Sequence, residues 1–170
     1  DISKILRNYK KKIKIIYHFG EFSRIYQSFL HTKDCVNSNI YNSFEVINFA
    51  KDNNIKIIYS ATSSNLGNYG KDQNSSPYAW TKTKNIELIR NYADWFGLRY
   101  EILYFYNVYG PGQIKTGKMS ALIGIFETQY ENKKPLTIVK PGSQMRDFTH
   151  IDDIIEGCYK AVIKNKNKEY

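Results

Sequence analysis

The chain has 170 residues, 42% of them hydrophobic and 15% aromatic, which is enough for one folded core and excludes a disordered polymer. Its formal charge of +9 is spread over scattered lysines, with Lys10-Lys11-Lys12 the single run of three, so no basic stripe marks it for nucleic acid. No apolar stretch approaches the ~18–20 residues of a membrane span. The charge excess follows heavy use of Lys, Asn, Ile and Tyr, with an anionic small ligand as the functional alternative. Cys35 and Cys158 are far apart and lack metal-ligand spacing, which predicts reduced thiols in a cytoplasmic protein. The N-terminal residues carry no charged-then-apolar leader and no Met, as expected of a chain that begins mid-protein.

Ile13 to Phe19 reads as a buried strand ended by Gly20. Val36, Ile40, Phe44 and Ile47 recur at helical spacing, which predicts an amphipathic helix over residues 35–51. A β-branched run from Ile55 to Ser60 predicts a second strand. Ile86, Ile89, Ala93 and Phe96 share one face of a helix over 78–96, stopped by Gly97. Residues 99–106 read as a third strand, 118–131 as a helix and Leu136 to Val139 as a short strand. Asp152 or Asp153 is expected to cap a final helix running to about Lys164. This alternation predicts βαβ units in a doubly wound parallel sheet, with ligands at the carboxyl ends of its strands. The rhythm breaks after Asn107, where Gly110, Pro111, Gly112 and Gly117 cluster. Residues 1–107 and 108–170 are therefore read as two parts, the second opening a smaller substrate-covering lobe and ending in a returning helix.

Ser76-Pro77-Tyr78-Ala79-Trp80-Thr81-Lys82 places a phenol and an ammonium four residues apart, on one face of a helix start. Upstream, Ile57-Ile58-Tyr59-Ser60-Ala61-Thr62 places hydroxyls at a strand end. A free phenol titrates near pH 10 and is a poor base at neutral pH, but a nearby cation favours the phenolate. Tyr78, Lys82 and Thr62 could thus take a proton from an alcohol while a nicotinamide takes the hydride. Spacing alone does not decide this. Tyr130 and Lys134 repeat it at a helix end, and a surface helical pair is the plainer reading of either.

The order of segments adds more. Ile16-Tyr17-His18-Phe19-Gly20, Asn39 opening its helix, Ile58 to Thr62 and Pro77 to Lys82 come first. Asn107-Val108-Tyr109-Gly110-Pro111-Gly112-Gln113 and Arg146-Asp147-Phe148-Thr149-His150-Ile151-Asp152-Asp153 follow. Together they resemble the extended short-chain dehydrogenase/reductases of the nucleotide-sugar epimerase/dehydratase family, most closely the UDP-glucose 4-epimerase group, over about residues 13–163. The resemblance implies a Rossmann-like fold, truncated at its N-terminal half, with residues 1–107 a partial NAD-binding domain. It implies NAD as cofactor, with Phe19, Gly20, Asn39, Ser60, Tyr78, Lys82 and Tyr106 lining it. Thr62, Tyr78 and Lys82 fall on the catalytic positions, and Asn107 and Arg146 on positions that bind the sugar nucleotide, an arginine fork suiting phosphate oxygens. His150 and Asp153 are expected to shape the helix start.

The activity implied is NAD-dependent epimerisation of a nucleotide sugar, a UDP-hexose at C4 through a 4-keto sugar. The alternatives are a reductase or dehydrogenase of the same family, or a non-catalytic remnant that binds sugar nucleotide. A homodimer would form through the helices around 35–51 and 78–96, with no nucleic-acid or membrane partner. Three departures stand out. The family's G-x-x-G-x-x-G unit, which puts a helix N-terminus on the pyrophosphate, is missing, so a fragment or split gene product is expected. Ser63-Ser64 follow Thr62 where dehydratases of the family carry Asp-Glu. Tyr104 stands where an Arg is common.

Overall fold

The computed structural model describes residues 8–9, 12–164 and 166–170. Residues 1–7, on which the leader expectation rests, and two lysines of the run at 10–12 lie outside them. The chain divides into two compact units, Asp1–Tyr104 with Cys158–Tyr170, and Phe105–Gly157.

The first unit is built on a sheet with strand order β1-β2-β3, from β1 (Ile15–His18), β2 (Lys56–Thr62) and β3 (Tyr100–Phe105). β1 and β2 are parallel, with Ile15 opposite Lys56 and His18 opposite Tyr59. Every residue of β2 is buried, as a central strand covered on both faces requires. The expected Rossmann-like parallel α/β architecture is thus present. The last residues of the chain lie along β3, where Ile102 N donates to Lys168 O and Tyr170 N to Ile102 O, each at 2.9 Å. A buried ion pair ties this segment down. Lys56 and Glu101 approach to 3.3 Å, their side chains 3% and 0% exposed. Lys56 Nζ also donates to Ala161 O at 2.6 Å, while Glu101 accepts from Lys166 N and Lys168 N.

The helix expected over 35–51 is part of a longer run, formed by α2 (Thr32–Val36), a π turn (Asn37–Tyr41) and α3 (Asn42–Asp52). Asn39 therefore lies inside a π turn in mid-run and does not open a helix; such turns gather at functional sites. Before it comes α1 (Ile25–Leu30), which periodicity did not signal, because only Ser28 of its residues is buried. α4 (Pro77–Phe96) matches its expectation. Ser76 Oγ accepts from Ala79 N at 3.1 Å, Pro77 occupies the first turn, and Gly97 ends the helix in the left-handed region at φ 72°. Ile47, Ile57, Tyr59, Ile86, Ile89 and Ile102 meet in one core between sheet and helices.

The second unit holds β4 (Asn107–Tyr109), parallel to β5 (Phe148–His150), together with α5 (Leu122–Glu131) and the start of α6 (Ile151–Ile163). Three expectations fail here. Leu136 to Val139 forms no strand: Ile138 and Val139 are 76% and 78% exposed, and β-branched residues with nothing to pair or pack against have no sheet to join. α5 begins at Leu122 and not at 118. α6 begins at Ile151, so Asp152 and Asp153 sit within its first turn, where carboxylates favour the helix dipole, and neither is the cap. His150 Nδ1 accepts from Asp152 N at 3.3 Å instead.

Candidate active site

β2 ends in Thr62, and the chain leaves it through a 3₁₀ turn, Ser63–Asn65. Thr62 Oγ1 accepts from Ser64 N at 3.3 Å, which fixes its hydroxyl at the strand tip. Tyr78 lies in the first turn of α4, held there by the Ser76 cap and by a bond of 3.2 Å from its own N–H to Ser28 Oγ. Burial raises the Tyr78 pKa above the ordinary phenol value; the Thr62 hydroxyl opposes this, the Glu21 carboxylate adds to it, Arg24 opposes it and Cys35 adds to it.

One helical turn on, Lys82 is buried. Its ammonium donates to Ser60 O at the end of β2 and to the carboxylate of Glu21, and lies 4.5 Å from the centre of the Tyr59 ring. Glu21 and Lys82 are 2% and 5% exposed as side chains. Desolvation pulls the Lys82 pKa below the ordinary ammonium value, and Glu21 pushes it back up. Sequence reading missed Glu21 altogether. The one available signal was an acidic residue directly after Phe19-Gly20, at the carboxyl end of the first strand.

The remaining predicted positions of the first unit surround this point. Phe19 and Gly20 are exposed in the turn after β1, and Ser60 is buried in β2. Asn39 is fully buried and its amide is committed: Oδ1 accepts from Phe22 N at 2.7 Å, while Nδ2 donates to Phe22 O at 3.0 Å and to Thr81 Oγ1 at 3.1 Å. It clamps the turn that carries Glu21. In the second unit, Tyr106 is half-buried just before β4. Asn107 donates to Asp147 O at 2.8 Å, and the exposed Arg146 donates to Met145 O at 2.8 Å. Tyr104, at the position of the expected Arg, donates to Glu169 at 2.7 Å.

The donor set of the first unit fits the nicotinamide-ribose end of NAD. Two of the three ammonium donors of Lys82 go to Glu21 and Ser60, leaving one N–H for a ribose hydroxyl beside the Thr62–Tyr78 pair. The pyrophosphate end finds no glycine-rich loop with a helix N-terminus among the described residues. No helix among them is long and apolar enough to cross a membrane, and no cluster of His, Cys, Asp and Glu suits a metal ion.

Known proteins carry the same arrangement of segments. Residues 1–170 match the NAD dependent epimerase/dehydratase family. A UDP-glucose epimerase homologue of Bacillus subtilis, YtcB, itself uncharacterised, is 30% identical over 156 residues, 85% of this chain and 48% of its own length. The UDP-N-acetylglucosamine 4-epimerase of Methanobrevibacter ruminantium superposes with a TM-score of 0.87 at 25% identity, over 99% of this chain and 56% of its own. The UDP-glucuronic acid 4-epimerase of Bacillus cereus, solved with UDP-glucuronic acid and NAD, superposes with a TM-score of 0.79 at 31% identity, over 99% of this chain and 55% of its own. The chain thus spans about half the length of the curated relatives it matches. By the match along its whole sequence, the chain belongs to the NAD dependent epimerase/dehydratase family.

Proposed function

We propose that the complete enzyme containing this chain epimerises a UDP-hexose at C4. The observation that carries the reading is the placement of the Thr62 hydroxyl, held at the tip of β2, and of Tyr78 in the first turn of α4, with the buried ammonium of Lys82 one helical turn further along. NAD, when bound, supplies the acceptor for the C4 hydride and gives it back. Tyr78 takes the proton of the C4 hydroxyl as the alcohol becomes a ketone, and returns it once the 4-keto sugar has presented its other face. Thr62 orients the C4 hydroxyl toward the phenol. Lys82 contributes positive charge and a donor for the ribose. Phe19, Gly20 and Ser60 line the cofactor, and Asn39 holds the turn beside it. We assign Tyr106 to the cofactor, and Asn107 and Arg146 to the sugar nucleotide, Arg146 by its planar guanidinium.

Water elimination has less support. The positions after Thr62 are Ser63 and Ser64, which form a 3₁₀ turn and offer hydroxyls where an acid and a base would be needed. Exposed aromatic residues on the two long helical runs, Tyr41, Trp80, Trp95 and Phe96, support a homodimer, checked by sedimentation of the complete enzyme. The unpaired cysteines, Cys35 and Cys158, favour a reducing cytoplasm.

The test is interconversion of UDP-glucose and UDP-galactose without added NADH, which an epimerase does not consume in net. Tyr78→Phe is expected to lower kcat by ~10²–10⁴ with an unchanged circular dichroism spectrum. An undiminished rate would reject Tyr78 as the acid/base. If the wild type turns over only with added NADH, the enzyme is a reductase.

A further inference from the structure

Glu21, which the proposed mechanism does not use, is densely bonded. Its Oε1 accepts from Ser43 Oγ at 2.6 Å, from Asn85 Nδ2 at 2.8 Å and from Tyr59 OH at 3.3 Å. Its Oε2 meets Lys82. These partners come from three elements, the long helical run, α4 and β2. The turn itself is locked: Glu21 N donates to Phe19 O at 3.0 Å, and the Asn39 amide grips both backbone groups of the next residue, Phe22. A carboxylate held this way has little freedom to swing, and whatever it grips is held as firmly.

Lys82 is what it grips. A buried ammonium is costly unless paired, and in apolar surroundings it sheds its proton. The groups facing it are Glu21 from the turn, His18 from β1 and Tyr59 from β2; Tyr78 lies one turn earlier on its own helix. His18 Nε2 is engaged with Ser43 Oγ at 2.7 Å and stands 3.6 Å from Glu21 Oε1, and burial lowers its pKa, so it adds little charge of its own. Glu21 is therefore the counter-ion that keeps Lys82 charged.

We propose that Glu21 is a positioning residue of the active site, pinning the Lys82 ammonium to the end of β2 in its charged form. Its use in catalysis rests on the function proposed above; its hold on Lys82 does not. Glu21 touches neither sugar nor cofactor in this account. It aims one lysine donor at the Ser60 carbonyl and one at itself, and so sets the direction of the third.

The experiment titrates the amine nitrogen of Lys82 by NMR in cofactor-free, ¹⁵N-lysine-labelled complete enzyme, the signal being assigned by its loss in Lys82→Arg. Glu21→Gln keeps the shape of the side chain and removes its charge. The Lys82 midpoint is expected to fall by at least about one pH unit, with Glu21→Asp between Gln and wild type because the shorter arm stretches the ion pair. The basic limb of the kcat/KM profile should move to lower pH in the same order, a displacement that mere loosening of the fold would not produce. Equal midpoints in all three proteins would overturn the proposal. Should Glu21→Gln not fold, wild type against Glu21→Asp alone decides, an unchanged midpoint again overturning it. If Tyr78→Phe turns over normally while the midpoints keep their order, the functional reading is overturned and the hold of Glu21 on Lys82 stands.

Discussion

Tyr59 is fully buried, with its hydroxyl between the Glu21 carboxylate and the Asn85 amide. Burial pushes its pKa well above the ordinary phenol value and Glu21 pushes it further, against the bond from Asn85. A folded-state pKa above the unfolded one means the neutral phenol is what the fold favours. Its contribution to stability is complete below about pH 10 and is lost as pH rises beyond that, because the unfolded chain ionises first. Urea melts from neutral pH upward should therefore show stability falling above about pH 10, and the fall should be shallower in Tyr59→Phe. A Tyr59→Phe curve parallel to wild type would show that this phenol does not carry the alkaline loss. The same reasoning explains why Tyr78 needs help to act as a base. Burial makes its phenolate costly, Glu21 adds to the cost, and the Thr62 hydroxyl opposes both.

At the scale of the element, α4 presents Tyr78 and Lys82, and both its ends are set by local chemistry. Ser76 caps its first turn and Gly97 closes it in the left-handed region, where an added Cβ would meet no neighbour but would strain the backbone. Ser76→Ala should cost about 1 kcal/mol in denaturant melts. It should also lower kcat, because the cap fixes the turn that carries Tyr78. Gly97→Ala should cost about 1 kcal/mol, with kcat kept, because it lies at the far end of the helix. Equal effects of the two on kcat would mean that cap geometry does not reach the site. The π turn at Asn37–Tyr41 belongs to the same class of local decision. It sits where Asn39 turns inward to clamp Phe22, and Asn39 is thereby tied to the loop that carries Glu21.

Across the whole molecule, the buried Lys56–Glu101 pair plays a structural part comparable to that of Glu21–Lys82 in the site. It fastens the end of α6 and the last residues to β2 and β3. Lys56→Met alone leaves Glu101 buried without its cation and should destabilise by about 3–5 kcal/mol. Lys56→Met with Glu101→Leu should recover part of that loss, and a double variant no better than the single would show that the pair is not a unit. The strands and helices of the first unit were largely legible in the chain. β1, β2, the run over 35–51, α4 and its stop at Gly97 all follow from apolar period and local end signals, which act between near neighbours. The placement of Thr62 at a strand end, and of Tyr78 and Lys82 one helical turn apart, was legible for the same reason; the roles proposed for them come from the order of segments, not from their spacing. Tertiary structure alone decided the rest. It left Leu136 to Val139 without a strand to pair, and it drew β4 and β5 together from either side of α5. It also gathered Ser43, Tyr59, Lys82 and Asn85 around Glu21. Those four lie far from Glu21 along the chain, and a buried charge takes its partners from whatever the fold brings near, which no periodicity in the sequence records.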